Sequence, residues 1–107
     1  MMIASTPAPP YYAVIFTSIR TEEDKDYDKI STRMVELAKK QSGYLGVESA
    51  RNAMGITVSY WKDLESIKLW KQQAEHAIAQ EMGREYFYTT YKTSICIVEK
   101  DYIFEKK

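Results

Sequence analysis

The stretch YYAVIFTSIR (Tyr11–Arg20) is apolar on both sides of an extended strand, with Tyr12, Val14 and Phe16 facing one way and Ala13, Ile15 and Ile19 the other. A strand of this kind needs cover on both faces, so it belongs inside a sheet that carries helices on one side and something else on the other. In a chain of 107 residues that demand is hard to meet alone. Such a chain makes one domain with a modest core, too small to enclose a large cofactor unaided, and oligomerisation is expected from size.

The rest of the chain supplies the missing layers. Residues 1–10 hold all three prolines and no periodicity, which predicts a disordered or arm-like tail before a single domain over 11–107. Thr21, Glu22, Glu23 and Asp24 offer helix-start chemistry. Tyr27, Ile30, Met34, Leu37 and Ala38 then recur at helical spacing until Lys39, Lys40 and Gly43. YLGVESAR (44–51) and ITVSYW (56–61), joined through Asn52 to Gly55, predict an antiparallel hairpin. Asp63 is a natural N-cap for a second helix that runs to Met82 and stops at Gly83, with room for a bend near Gln72. A last strand is predicted from Tyr88 to Val98.

The order β-α-β-β-α-β predicts an α+β, ferredoxin-like fold: a four-stranded antiparallel sheet with both helices on one face. The other face, roughly 19 by 23 Å, is then an apolar patch near the upper limit for a soluble monomer. A second copy, sheet against sheet, is the economical cover, so a homodimer is expected.

Lys plus Arg equals Asp plus Glu at 15 each, which leaves no net field to draw in nucleic acid or an anionic membrane. No apolar run approaches a bilayer span, and MMIASTPAPP lacks the basic start and apolar centre of a signal peptide, so the cytoplasm is the expected compartment. One cysteine and one histidine allow no internal disulfide and no ordinary zinc site, and the four glycines have no phosphate-cradling spacing.

Residues able to carry chemistry concentrate between Tyr60 and Tyr88, which hold both tryptophans and the only histidine. On a helix, Ile67, Trp70, Ala74, Ala77, Ile78 and Glu81 form one stripe, while His76 lies about 120° from Trp70 in a second stripe with Leu69, Gln73 and Gln80. For His76 two readings stand: a general base or hydrogen-bond donor to a bound phenol, or a half-exposed helix residue bonded locally. Trp61 and Trp70 suit core packing, and either can also wall a pocket. Arg84 can hold an anionic substrate or pair with Glu81 or Glu85. Tyr86, Tyr88 and Tyr91 can line a cavity or a dimer seam. Cys96, inside an apolar strand, reads as a small buried hydrophobe.

The runs SGYLGVESAR, ITVSYWKDLESIKLW, EHAIAQ and GREYFYTTY together resemble the antibiotic biosynthesis monooxygenase (ABM) family of dimeric α+β barrels, over about residues 11 to 102. This resemblance implies a homodimer whose two sheets form a barrel, each subunit keeping a pocket between sheet and helices for a small aromatic ligand. Catalytic members of that family oxidise polycyclic phenols with O₂ and no metal or flavin, others degrade haem, and many have no known activity. Cofactor-free oxidation needs a base, an apolar pocket and a donor to the developing oxygen anion. The resemblance assigns these roles to His76 as the catalytic residue and to Trp61, Trp70, Tyr88 and Arg84 around the substrate. A ligand-binding or structural dimer without turnover is the alternative. Haem degradation fits less well: that branch expects a histidine ten residues after the second tryptophan, where this chain has Gln80, and an asparagine in a first strand that here has none.

Overall fold

The computed structural model describes residues 3–22, 27–81 and 87–106, with the side chains of 76–81 outside the described residues. Its elements are β1 (Tyr11–Arg20), α1 (Tyr27–Lys39), β2 (Tyr44–Arg51), β3 (Gly55–Trp61), α2 (Leu64–Glu81) and β4 (Tyr88–Val98). They form one four-stranded sheet in the order β2-β3-β1-β4. Every neighbouring pair is antiparallel, as the βαββαβ order predicts. The start of α1 at Tyr27 leaves the expected cap chemistry at Glu23 and Asp24 outside the described residues. Gly83 and Met82 also fall there.

The hairpin forms because Asn52 donates its backbone N–H to Met54 O at 3.0 Å, closing the turn between Arg51 and Gly55. At the start of α2, Asp63 Oδ1 accepts the Ser66 N–H at 2.8 Å, the expected N-cap. Hydrogen bonds from the Ser66 hydroxyl and then its N–H hold the Asp63 carboxyl below the usual carboxylate range. α2 runs as one helix through Gln72. Gly43 is buried where the loop after α1 passes under α2, and a Cβ there would collide with Ser66. The adjacent Lys62 N–H donates to Gly43 O at 2.9 Å, so the two loops at this end of the sheet are tied together.

One side of the sheet carries both helices. Val14, Trp61, Ala38 of α1 and Ile67 of α2 form the buried cluster, flanked by Tyr12, Tyr44 and Trp70. Directly paired residues share a face. The helix-bearing side therefore shows Tyr12, Val14, Phe16 and Ser18 of β1, Trp61, Ser59, Thr57 and Gly55 of β3, and Ile97, Ile95, Thr93 and Tyr91 of β4. Among the described residues, α1 meets the sheet mainly at β2 and α2 mainly at β3. The helices thus cover β2, β3 and part of β1, and leave β4 open: Ile95 and Ile97 are 49% and 48% exposed.

The helix-free side holds Tyr11, Ala13, Ile15, Thr17 and Ile19 of β1 with Tyr60, Val58 and Ile56 of β3. Its β2 corner is partly covered by the N-terminal arm. Ala4 donates its N–H to Glu48 Oε2 at 2.9 Å and packs over Gly46, where an added Cβ would come within 2.8 Å of the Ala4 Cβ. Cys96 lies on this side opposite Ala13 and is exposed, which corrects the expectation of a buried thiol. β4 is an edge strand, so its apolar composition does not by itself bring burial.

Candidate functional site

Trp61 ends β3 and faces the helices, and it is 0% exposed. Its indole Nε1 donates to Ser59 Oγ at 2.9 Å, and its ring contacts Tyr44 edge-on at 5.8 Å and Trp70 at 5.2 Å. Trp61 is therefore a satisfied core residue that backs Trp70. Trp70, half-buried on the core stripe of α2, differs in one respect: its Nε1 is buried and has no hydrogen-bond partner among the described residues. A buried donor left unpaired costs about 1–3 kcal/mol, so this N–H is the polar atom here with most to gain from a ligand oxygen.

Tyr88 stands elsewhere. The register sets Trp61 opposite Tyr12 and Tyr88 opposite Arg20. These positions lie eight residues apart on β1, roughly 26 Å. The structure brings Trp61 and Trp70 together and leaves Tyr88 at the other end of the helix-bearing side.

There Tyr88 joins an aromatic nest. Its ring contacts Phe16 at 5.4 Å, Tyr91 at 5.8 Å and Tyr27 at 6.1 Å, and its hydroxyl lies 3.5 Å from the Tyr27 hydroxyl. Two guanidiniums close the nest: Arg20 stacks 3.5 Å from the Tyr27 ring centre, and Arg51 stands 5.9 Å from it while donating to the buried Ser18 hydroxyl. Burial and the Tyr27 hydroxyl raise the Tyr88 phenol well above its usual range, against the pull of Arg51 and Arg20. Tyr88 is a neutral donor at physiological pH.

Between these ends lies the uncovered strip over Phe16, Tyr91, Ile95 and Ile97, an apolar and aromatic floor open on the β4 side. A flat ring system could rest on it, with the Trp61–Trp70 pair toward one end and the Tyr88 nest with its cations at the other. A hollow of about 580 Å³ elsewhere, along α1, is lined by charged side chains including Asp28, Arg33, Glu36 and Lys40, and does not suit such a ligand.

His76 lies within α2, but its side chain is outside the described residues, as are Arg84 and Tyr86 altogether. On the same helix, Gln73 Oε1 accepts from Gln41 Nε2 at 3.0 Å. Sequence reading missed the nest of Arg20, Arg51, Tyr27 and Phe16. Its components are far apart in the chain and meet only through the register. The available signal was the tight turn before Gly55, which pairs Gly55 with both Arg51 and Ser18.

The profile of the family described as "Antibiotic biosynthesis monooxygenase" matches residues 10–82. The uncharacterized protein YqjZ of Bacillus subtilis (strain 168) is 44% identical over 97% of this chain and 93% of its own length. Among solved structures, PA3566 from Pseudomonas aeruginosa superposes with a TM-score of 0.67 at 14% identity, covering 90% of this chain and 99% of that one. SnoaB from Streptomyces nogalater, a cofactor-independent oxygenase, does so with a TM-score of 0.62 at 6% identity, covering 92% and 100%. The structural matches share the fold alone. The sequence match extends over most of the chain, so the protein belongs to the antibiotic biosynthesis monooxygenase family.

Proposed function

We propose that this protein is a cofactor-independent oxygenase acting with O₂ on a flat phenolic substrate bound on the helix-bearing side of β1 and β4. The observation that carries the reading is the uncovered apolar floor (Phe16, Tyr91, Ile95, Ile97), and the buried indole N–H of Trp70, which has no partner among the described residues, supports it. An aromatic floor favours a flat ligand by about 0.5–1.5 kcal/mol per ring pair beyond burial. SnoaB, whose fold is similar, is itself a cofactor-independent oxygenase.

The chemistry needs no electron source beyond substrate and O₂. A deprotonated phenol or anthrone passes an electron to O₂ and the resulting pair combines at ring carbon. One oxygen atom stays as the new carbonyl, and the other leaves as water with the two hydrogens lost from the ring system. In this reading His76 takes the phenolic proton, Trp70 Nε1 donates to the substrate oxygen, and Trp61 fixes the Trp70 ring from behind, while Tyr88 and its nest lie too far along β1 to touch the same small ring system. Arg84 is the candidate to hold an anionic edge of the substrate. Haem degradation has less support, since Gln80 occupies the position where the haem-degrading branch carries its histidine.

Two copies meet, in this proposal, through the helix-free side, where Ile19 and Ile56 are exposed beside Ile15 and Val58. Sedimentation equilibrium at micromolar concentration checks it: a 25 kDa species is expected, twice the 12.5 kDa chain. A 12.5 kDa species refutes it.

Oxygen-electrode assays with 1-naphthol and anthrone test the catalytic reading, with consumption of one O₂ per product molecule as the expected result. Binding of these compounds with no O₂ uptake would replace it with a ligand-binding dimer that does not turn over. The fully buried, hydrogen-bonded Trp61 is the observation that favours this second reading.

A further inference from the structure

Beyond β4 the chain continues as an extended segment whose composition is at odds with its surroundings. Tyr102, Ile103 and Phe104 are 91%, 72% and 87% exposed, three consecutive large apolar side chains standing in water. The segment nevertheless leaves the body from a fixed point. Tyr11 Oη donates to Asp101 Oδ2 at 2.5 Å and accepts from Thr6 Oγ1 at 3.0 Å. That clip joins the arm before β1 and the segment after β4 at one edge of the helix-free side. The radius of gyration, 14.5 Å, exceeds the roughly 13 Å of a compact chain this long, in keeping with a projecting segment.

We propose that residues 102–104 are a strap that packs on a second copy of this chain and enlarges the interface made by the sheet faces. The inference rests on the sheet-to-sheet dimer proposed above. The arm already covers the corner of the sheet face over Gly46 and Glu48. A stable interface takes about 800 Å² of accessible surface from each partner, and two aromatic side chains that bury roughly 150–250 Å² each, with Ile103, would supply a large part of it.

The occupant is a second copy because the apolar surface in need of cover lies at the far end of the same side. Ile19, Ile56 and Met54 are exposed there, eight residues along β1 from the Tyr11–Asp101 clip, roughly 26 Å away. Residues 102–106 span at most about 17 Å, short of that end. A two-fold axis in the interface plane and across the strands sets the clip of one copy over the Ile19–Ile56 end of the other, where each strap finds an apolar surface.

The test compares the full-length protein with the full-length variant Tyr102→Ser/Ile103→Ser/Phe104→Ser by sedimentation equilibrium from 0.1 to 100 μM. Far-UV circular dichroism and thermal melting at high concentration serve as the check on folding. The expected result is a dimeric parent and a folded variant whose dimer dissociation constant is at least 100-fold higher. A variant that dimerises as tightly as the parent overturns the strap and leaves the sheet-to-sheet dimer standing. A monomeric parent overturns both and points to a different protein as the partner of the exposed segment. Ile56→Asp gives the second reading: it weakens the dimer if the strap and sheet share one interface, and unchanged dimerisation overturns that arrangement.

Discussion

The two halves of the sheet are built from the same kinds of residue and end up in different environments. In the β2–β3 half, Trp61 and Ser59 are sealed beneath Ala38 and Ile67, and even the reverse side is partly covered by the arm that binds Glu48. In the β1–β4 half, Ile95 and Ile97 sit opposite the core residues Val14 and Tyr12 and remain about half exposed. The cause is helix placement, because α1 and α2 pack on each other and meet the sheet at β2 and β3. Hydrophobicity is thus spent on stability in one half and left available for binding in the other.

The largest expected effect tests whether the open half carries chemistry. His76→Ala should slow O₂ consumption by roughly 10² to 10⁴ while the protein stays folded and dimeric, because a positioned base is worth about that much. Turnover at the parental rate in this variant would remove His76 from the mechanism and leave the floor and Trp70 as a binding site.

Stability should divide along the same line. Trp61→Ala removes a ring that is 0% exposed and in contact with Tyr44 and Trp70, and should cost about 3–5 kcal/mol in urea unfolding. Ile97→Ala, half exposed on the same side of the sheet, should cost only about 1 kcal/mol. Equal losses would mean that β4 is as well packed as β3 and that the open half is closed by something else.

How far this division was legible in the sequence depends on the residue. YYAVIFTSIR fixes a central strand, because both of its faces are apolar, and the structure sets β1 between β3 and β4. The Asp63 cap, the turn at 52–55 and the Ile67–Trp70–Ala74 stripe were equally readable, since each depends on neighbours within a few positions. Cys96 was misread because β-branched company signals burial only when a layer lies above it, and which strand lacks that layer is decided by helix packing across the whole chain. The wide separation of Tyr88 from Trp61 escaped for a similar reason. Both are aromatic and both face the helices, but their distance is set by strand register, not by sequence spacing.

A smaller effect separates the two tryptophans. Trp70→Phe keeps a ring against Trp61 and removes an N–H that has no partner, so stability should change little in either direction. If the ligand oxygen accepts that N–H, naphthol affinity measured by fluorescence titration should fall roughly fivefold, as expected for one neutral hydrogen bond. Trp61→Phe provides the contrast, because it abandons the bond to Ser59 in a sealed site and should lower stability first. A Trp70→Phe protein that binds as tightly as the parent would separate the unpaired indole from ligand recognition.

The smallest effect concerns the covered half at high pH. Tyr60 stacks on Tyr11 at 5.8 Å and donates to Glu48 Oε1 at 2.7 Å, while the other oxygen of Glu48 holds the arm through Ala4. Burial, and then the bond to Glu48, push the Tyr60 phenol up to about 12. The folded state therefore prefers the neutral phenol more strongly than the unfolded chain does, whose tyrosines ionise near 10. The contribution is fully present below pH 10 and is lost as pH rises from about 10 through about 12, when the phenolate would face the Glu48 carboxylate. Tyr60→Phe keeps the stacked ring and abolishes the ionisation. It should cost about 0.5–1 kcal/mol at neutral pH, and the gap between parent and variant should shrink as pH rises through that window. A gap that is constant from pH 8 to 12 would show that Glu48 holds the arm without help from Tyr60, and that the seal on this corner of the sheet comes from apolar contact alone.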